Sequence, residues 1–130
     1  MNNKGFTLIE LVIIMVVLGI LAAVAVPRMG NTISSSEEAA ENTVIASLRS
    51  AVEVYAMDQV VENSNKSYPV NPFDELDKLP DGYTGMGTPD EDGEWVFTGD
   101  SHVAHQRNDN SRYKWHYDSS TGEFGDRVAY

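Results

Sequence analysis

The strongest constraint on this chain is an apolar run that begins at Phe6 and ends at Val26, just before Pro27. Its residues are Ile, Leu, Val, Ala, Met and Phe, interrupted only by Thr7, Glu10 and Gly19. At 1.5 Å per residue the run makes a helix of roughly 31 Å, about the hydrocarbon thickness of a bilayer. Inside lipid every backbone polar group must be satisfied within the segment, so a lone span is a helix. Glu10 is the anomaly. A carboxylate at membrane depth costs about 2.5–3.5 kcal/mol on insertion scales and is usually kept because it has a partner. The run holds no Lys, Arg or His, so the partner is expected from outside this helix or from processing of the chain.

Processing is suggested by what precedes the run. An ordinary secretory signal has a shorter apolar region followed by a small-residue cleavage site. Here the small residue, Gly5, comes first, after Met1-Asn2-Asn3-Lys4. A cut between Gly5 and Phe6 leaves the helix on the mature chain and creates a cationic amine at Phe6. That amine lies one helical turn from Glu10, the spacing at which groups on a helix meet.

Gly5-Phe6-Thr7-Leu8-Ile9-Glu10-Leu11, the continuation Gly19-Ile20-Leu21-Ala22-Ala23-Val24-Ala25-Val26-Pro27 and the short leader resemble the prepilin signal of type IV pilins and type II secretion pseudopilins. The resemblance covers about the first quarter of the chain. It implies cleavage between Gly5 and Phe6 by a membrane-embedded prepilin peptidase, N-methylation of Phe6 by the same enzyme, and assembly into a homo-oligomeric helical filament on an inner-membrane platform. Phe6, Glu10 and Pro27 are the expected assembly residues. A plain signal anchor with a stray Glu is the alternative.

Composition narrows the rest. With 20 acidic and 9 basic residues the formal charge is −11, which argues against nucleic acid as a partner because that needs a basic footprint. Lys4 ahead of the run and the acidic chain after it place the N-terminus in the cytoplasm and the remainder outside the inner membrane. Disulfides can form there, yet the chain has no Cys. Many pilins close their C-terminal region with a disulfide, so the resemblance leaves open what pins this end.

Along the chain we expect a leader at 1–5, a transmembrane or filament-core helix half at 6–27, an amphipathic half at 28–62, a connecting loop region at 63–94 and an antiparallel sheet at 95–130. Pro27 removes one helical hydrogen bond and, with Gly19, makes Gly19–Pro27 the place for a kink or local melting. Beyond it Ile33, Val44, Leu48, Ala51 and Tyr55 form one stripe, with Ile45, Val52 and Ala56 beside it. Val54, Met57 and Val61 lie off that stripe, as a second packing face would. Tyr68, Phe73, Leu76, Leu79 and Tyr83 are expected to plug the loop region against the helix. Period two then predicts strands near Trp95–Thr98, His102–Gln106, Arg112–Tyr117 and Glu123–Ala129, joined by short turns and hence antiparallel. The fold class is α+β: a long N-terminal helix packed on a small antiparallel sheet of about four strands, pilin-like.

No nucleophile elbow, phosphate loop or Cys cluster is present, so no enzyme is expected. His102, His105 and His116 are a possible metal trio, although His102 and His105 point to opposite sides of a strand. Asp90 and Asp92, within Asp90-Glu91-Asp92-Gly93-Glu94, look like half a calcium loop without the full spacing. Otherwise no cofactor is expected. The expected function is that of a pilin, inserted in the bacterial inner membrane as a precursor and then part of an extracellular type IV pilus. The alternatives are a pseudopilin of a periplasmic type II secretion pseudopilus and a monomeric membrane-anchored binding protein.

Overall fold

The computed structural model describes residues 4–130; Met1, Asn2 and Asn3, most of the expected leader, lie outside the described residues. One helix, α1, runs Leu8–Asn63. A 3₁₀ turn follows at Pro72–Glu75, then six strands: β1 Tyr83–Met86, β2 Trp95–Phe97, β3 His102–Gln106, β4 Arg112–Asp118, β5 Glu123–Phe124 and β6 Val128–Ala129. The chain divides into two compact units, Met1–Glu38 and Ala39–Tyr130.

In the first unit the helix carries its large apolar side chains, from Leu8 to Ile33, on the outside. By length and composition α1 is able to cross a membrane. Melting at Gly19–Pro27, which the sequence suggests, does not occur: the helix is unbroken through both residues. Proline removes one bond, and the neighbouring turns keep theirs. The polar Asn31–Ser36 stretch stays helical because its hydroxyls turn inward. Thr32, Ser35 and Ser36 each donate to the carbonyl four residues earlier, at 2.9–3.1 Å, instead of competing for a cap.

In the second unit the C-terminal part of α1 buries Glu41, Ile45, Leu48, Val52 and Ala56. The buried stripe is therefore centred one position away from the Val44–Leu48–Ala51–Tyr55 line, whose Val44, Ala51 and Tyr55 are only half-buried. Phe73, Trp95, Phe97, Val103, Trp115 and Tyr117 close over it. Trp95 stacks on Trp115 at 5.8 Å, and Phe97 meets Tyr117 edge-on at 6.3 Å. Tyr68, Phe73, Leu76 and Tyr83 pack here as expected, but Leu79 is exposed.

The sheet is mixed and six-stranded, not an antiparallel sheet of four. Its order is β1-β2-β3-β4-β5, with β6 also on β4. β1, in what reads as loop, pairs parallel to β2 with an irregularity between Tyr83 and Gly85. Glycines hide it: Gly82 and Gly85 have positive φ and flank or interrupt a strand too short to show a period. The expected strand at Glu123–Ala129 is two pieces. Tyr117 opposes Phe124 and Tyr113 opposes Ala129, so the register slips by one residue across Gly125–Arg127. Such a bulge re-aims a side chain.

Two contacts tie the loop region to this hairpin. Tyr117 Oη donates to the Pro69 carbonyl at 2.7 Å, and burial, first among the causes, pushes its phenol up to about 12. Gly122, at φ +72°, lies so close to the Tyr68 ring that a Cβ there would stand 2.3 Å from it.

Because Leu48 is wholly buried and Met57 is 70% exposed, their truncations separate the two faces of the helix. Leu48→Ala should cost about 2–5 kcal/mol and Met57→Ala less than about 0.5 kcal/mol, read from denaturant unfolding of the full chain in detergent. Equal costs would mean that the stripe is wrongly placed.

Candidate functional site

Two clusters carry charge where charge is expensive. The first is at the mouth of the apolar helix. Gly5 and Phe6 precede α1 as exposed chain outside the helix, and Phe6 is 80% exposed. Thr7 caps the helix: its carbonyl accepts from Leu11 N–H at 3.3 Å and its hydroxyl accepts from Glu10 N–H at 3.3 Å. Glu10 reaches back, its Oε2 accepting from Thr7 N–H at 2.8 Å. Thr7-Leu8-Ile9-Glu10 is thus a capping box, two otherwise orphaned N–H groups satisfied reciprocally. The sequence leads one to expect a partner for Glu10 from outside this helix or from processing of the chain. In the uncut chain it has one, three residues away.

A backbone amide is nevertheless a neutral partner for an ionised group. The Glu10 carboxylate also sits in the first turn, where the helix dipole favours negative charge. A cut after Gly5 leaves both features in place and adds an ammonium at Phe6. Pro27 is internal to α1, distant in sequence from this mouth.

The second cluster was not expected. Glu41, fully buried, stands on the apolar stripe of α1. Its Oε1 accepts from Arg107 Nε at 2.8 Å and from His105 Nδ1 at 2.8 Å. Its Oε2 accepts from Arg107 Nη2 at 2.8 Å and from Arg127 Nη1 at 3.3 Å. The Arg107 fork is the bidentate arrangement that makes arginine–carboxylate pairs strong. Aromatic faces complete the enclosure. His105 stacks on Trp95 at 4.3 Å, and both guanidinium groups lie over Tyr113, at 4.2 Å for Arg107 and 5.3 Å for Arg127. Burial is the largest influence and pushes the Glu41 carboxyl up. The Arg107 and His105 hydrogen bonds, with their charges, outweigh it and hold the group down at about 2.

The signal for this cluster is present in the sequence. Glu41 lies four residues before Ile45 and seven before Leu48, on the same helical face. Val103 and His105 in β3, and Arg107 just past its end, alternate to one side, so a basic pair inside demands an acid. Among the described residues, no buried side-chain nitrogen or oxygen lacks a hydrogen-bond partner.

The three histidines do not form a trio, since His105 faces inward to Glu41 while His102 opposes His116 across β3 and β4. Asp90 and Asp92 are exposed. Their turn is knit by Glu94, whose Oε2 accepts from Asp90 N–H at 2.7 Å and Glu91 N–H at 3.1 Å, while Oε1 takes the Thr84 hydroxyl. Asp92 Oδ1 accepts from Gln106 Nε2 at 3.2 Å. Among the described residues no group of three or more His, Cys, Asp and Glu is arranged to hold a metal ion.

The Glu41 pKa gives a signed prediction. A carboxyl held at about 2, against an ordinary 4.5, contributes stability above pH 4.5 that is lost as pH falls towards 2. The contribution is on the order of 3 kcal/mol. Glu41→Gln should be destabilised by about 3–5 kcal/mol at pH 7, because two arginines lose their counter-charge. The gap to wild type should shrink between pH 5 and 2, measured by denaturant midpoints across that range. A gap independent of pH would contradict the ionised, clamped carboxylate.

Comparison with known proteins bears on the first cluster. Residues 1–26 match the prokaryotic N-terminal methylation motif. The chain is 42% identical over 56 residues to a type IV major fimbrial protein FimA of Dichelobacter nodosus, covering 43% of this chain and 36% of that protein. It is 42% identical over 66 residues to the type IV wide pilus major component PilA4 of Thermus thermophilus, covering 51% and 48%. It is 37% identical over 69 residues to the type II secretion system core protein G of Pectobacterium carotovorum, covering 52% and 40%. The chain thus spans less than half the length of each of these relatives. No solved structure matches it significantly.

Proposed function

We propose that this chain is the precursor of a pilin, a structural subunit that is cut between Gly5 and Phe6, N-methylated at Phe6 and built into a type IV pilus. The observation that carries the reading is the methylation motif over residues 1–26. The chemistry of the mouth supports it. Gly5 and Phe6 lie outside the helix and exposed, where a peptidase can reach the bond between them. Glycine, lacking Cβ, lets the backbone enter such a site closely.

In this reading the precursor rests in the inner membrane with Lys4 on the cytoplasmic side. The apolar side chains from Phe6 to Met29, exposed in the single chain, face lipid before assembly and neighbouring subunits after it. Val54, Met57 and Val61, also exposed, form a second subunit-packing face. The role is structural, not enzymatic.

A second reading, the pseudopilin of a secretion pseudopilus, is favoured by one observation. The similarity to core protein G extends over 69 residues, as far as the similarity to the wide-pilus component. Surface filaments on the parent cell that vanish on deletion of this chain support the pilus. Their persistence, with loss of protein secretion instead, supports the pseudopilus.

Processing is tested at Gly5. Wild-type subunit recovered from membranes should begin at an N-methylated Phe6 by mass spectrometry. Gly5→Trp should accumulate as a full-length, inserted precursor with no methyl group on Phe6. Normal maturation of Gly5→Trp would remove the assigned cut.

A further inference from the structure

We propose that His102 and His116 form a surface site for one divalent transition metal ion, of which zinc is the representative, held between β3 and β4. The argument starts from strand register. His102 and His116 are direct partners in the antiparallel β3–β4 ladder. Two backbone bonds of 2.8 Å, Tyr117 N–H to Ser101 carbonyl and Arg107 N–H to Ser111 carbonyl, bracket that ladder. In an antiparallel pair, hydrogen-bonded and non-hydrogen-bonded partners alternate. Ser101–Tyr117 and Arg107–Ser111 are of the first kind, so odd positions of β3 are bonded and His102–His116 is of the second. Its Cα atoms are therefore about 4.5 Å apart, with side chains on one face in their closest approach.

The spacing of the two imidazoles matches that of a shared ion. The ring centres are 5.1 Å apart and the planes are inclined at 60°. Two imidazoles on a tetrahedral zinc, with Zn–N bonds of about 2.0–2.1 Å, hold their ring centres roughly 5 Å apart. His102 is already oriented. Its Nδ1 lies 2.9 Å from the Asp100 carbonyl and 3.2 Å from the Asp100 carboxylate. A carbonyl only accepts, so Nδ1 carries the proton and Nε2 keeps the lone pair that binds metal. The carboxylate is itself fixed by the Thr98 hydroxyl. A histidine whose second nitrogen is tied to a carbonyl or carboxylate is the outer-shell arrangement of metal ligands.

The site chooses its ion by chemistry. Imidazole suits zinc, copper and nickel, whereas magnesium and calcium take oxygen. Half-buried His102 and exposed His116 leave the remaining positions to water. The proposal does not depend on the pilin reading; it rests on β3 and β4 alone.

The test uses the full chain in detergent micelles, stripped with chelator and titrated with zinc chloride by calorimetry at pH 7.5. Wild type should bind one zinc per chain, and zinc should raise its melting temperature. His102→Ala and His116→Gln should each weaken binding at least tenfold and abolish the thermal shift. Circular dichroism unchanged from wild type would show that both variants keep the fold. Zinc binding that survives both substitutions, or a wild-type chain that binds none, would overturn the site.

Discussion

An ionised carboxylate on an apolar helical face is tolerated only where donors surround it, since an uncompensated buried charge costs several kcal/mol. Helix α1 meets that constraint twice, in its first turn and in the part that the sheet covers. At Glu10 the donor is the backbone of its own first turn, through Thr7. At Glu41 the donors come from far along the chain, from His105, Arg107 and Arg127. The first arrangement leaves the helix mouth self-contained. The second fixes how the strands and the C-terminal segment lie on the helix within the second unit.

The Glu41 cluster also answers how a cysteine-free chain secures its end. Arg127 sits in the bulge between β5 and β6, and β6 pairs with β4 through Tyr113 and Lys114. A disulfide stabilises chiefly by restricting the unfolded chain. An arginine–carboxylate contact acts only in the folded state, and so carries the pH dependence of its carboxylate. Desolvation makes such a pair weak evidence for stability by itself. What it supplies here is placement: it holds His105 of β3, and Arg107 just past its end, against Glu41 of the helix.

Much of the fold was legible. The apolar run, the amphipathic stretch and strand β3, at His102–Gln106, follow from periodicity. The misses have physical causes. β1 is four residues with a glycine inside, and its parallel pairing with β2 is a tertiary choice. The stripe on α1 follows from its apolar residues alone, which shifts its centre and leaves Glu41 out of it. The Thr7–Glu10 box is readable as Thr-x-x-Glu at a helix start. His102 and His116 were visible as residues, but their meeting depends on the β3–β4 register, which no local pattern reveals.

We propose that cleavage gives Glu10 a charged partner and that this partner governs assembly. Once Phe6 is freed, its amine is opposite in charge to Glu10 in a low-dielectric layer, where attraction far exceeds its value in water. An incoming subunit's amine can then meet the Glu10 of a subunit already docked and set the axial register. The decisive measurement is the ratio of sheared filament to membrane-bound mature subunit in cells whose only copy carries Glu10→Val. The account predicts normal insertion and cleavage with filament greatly reduced. Filament at the wild-type ratio would contradict it and assign the register to apolar packing alone.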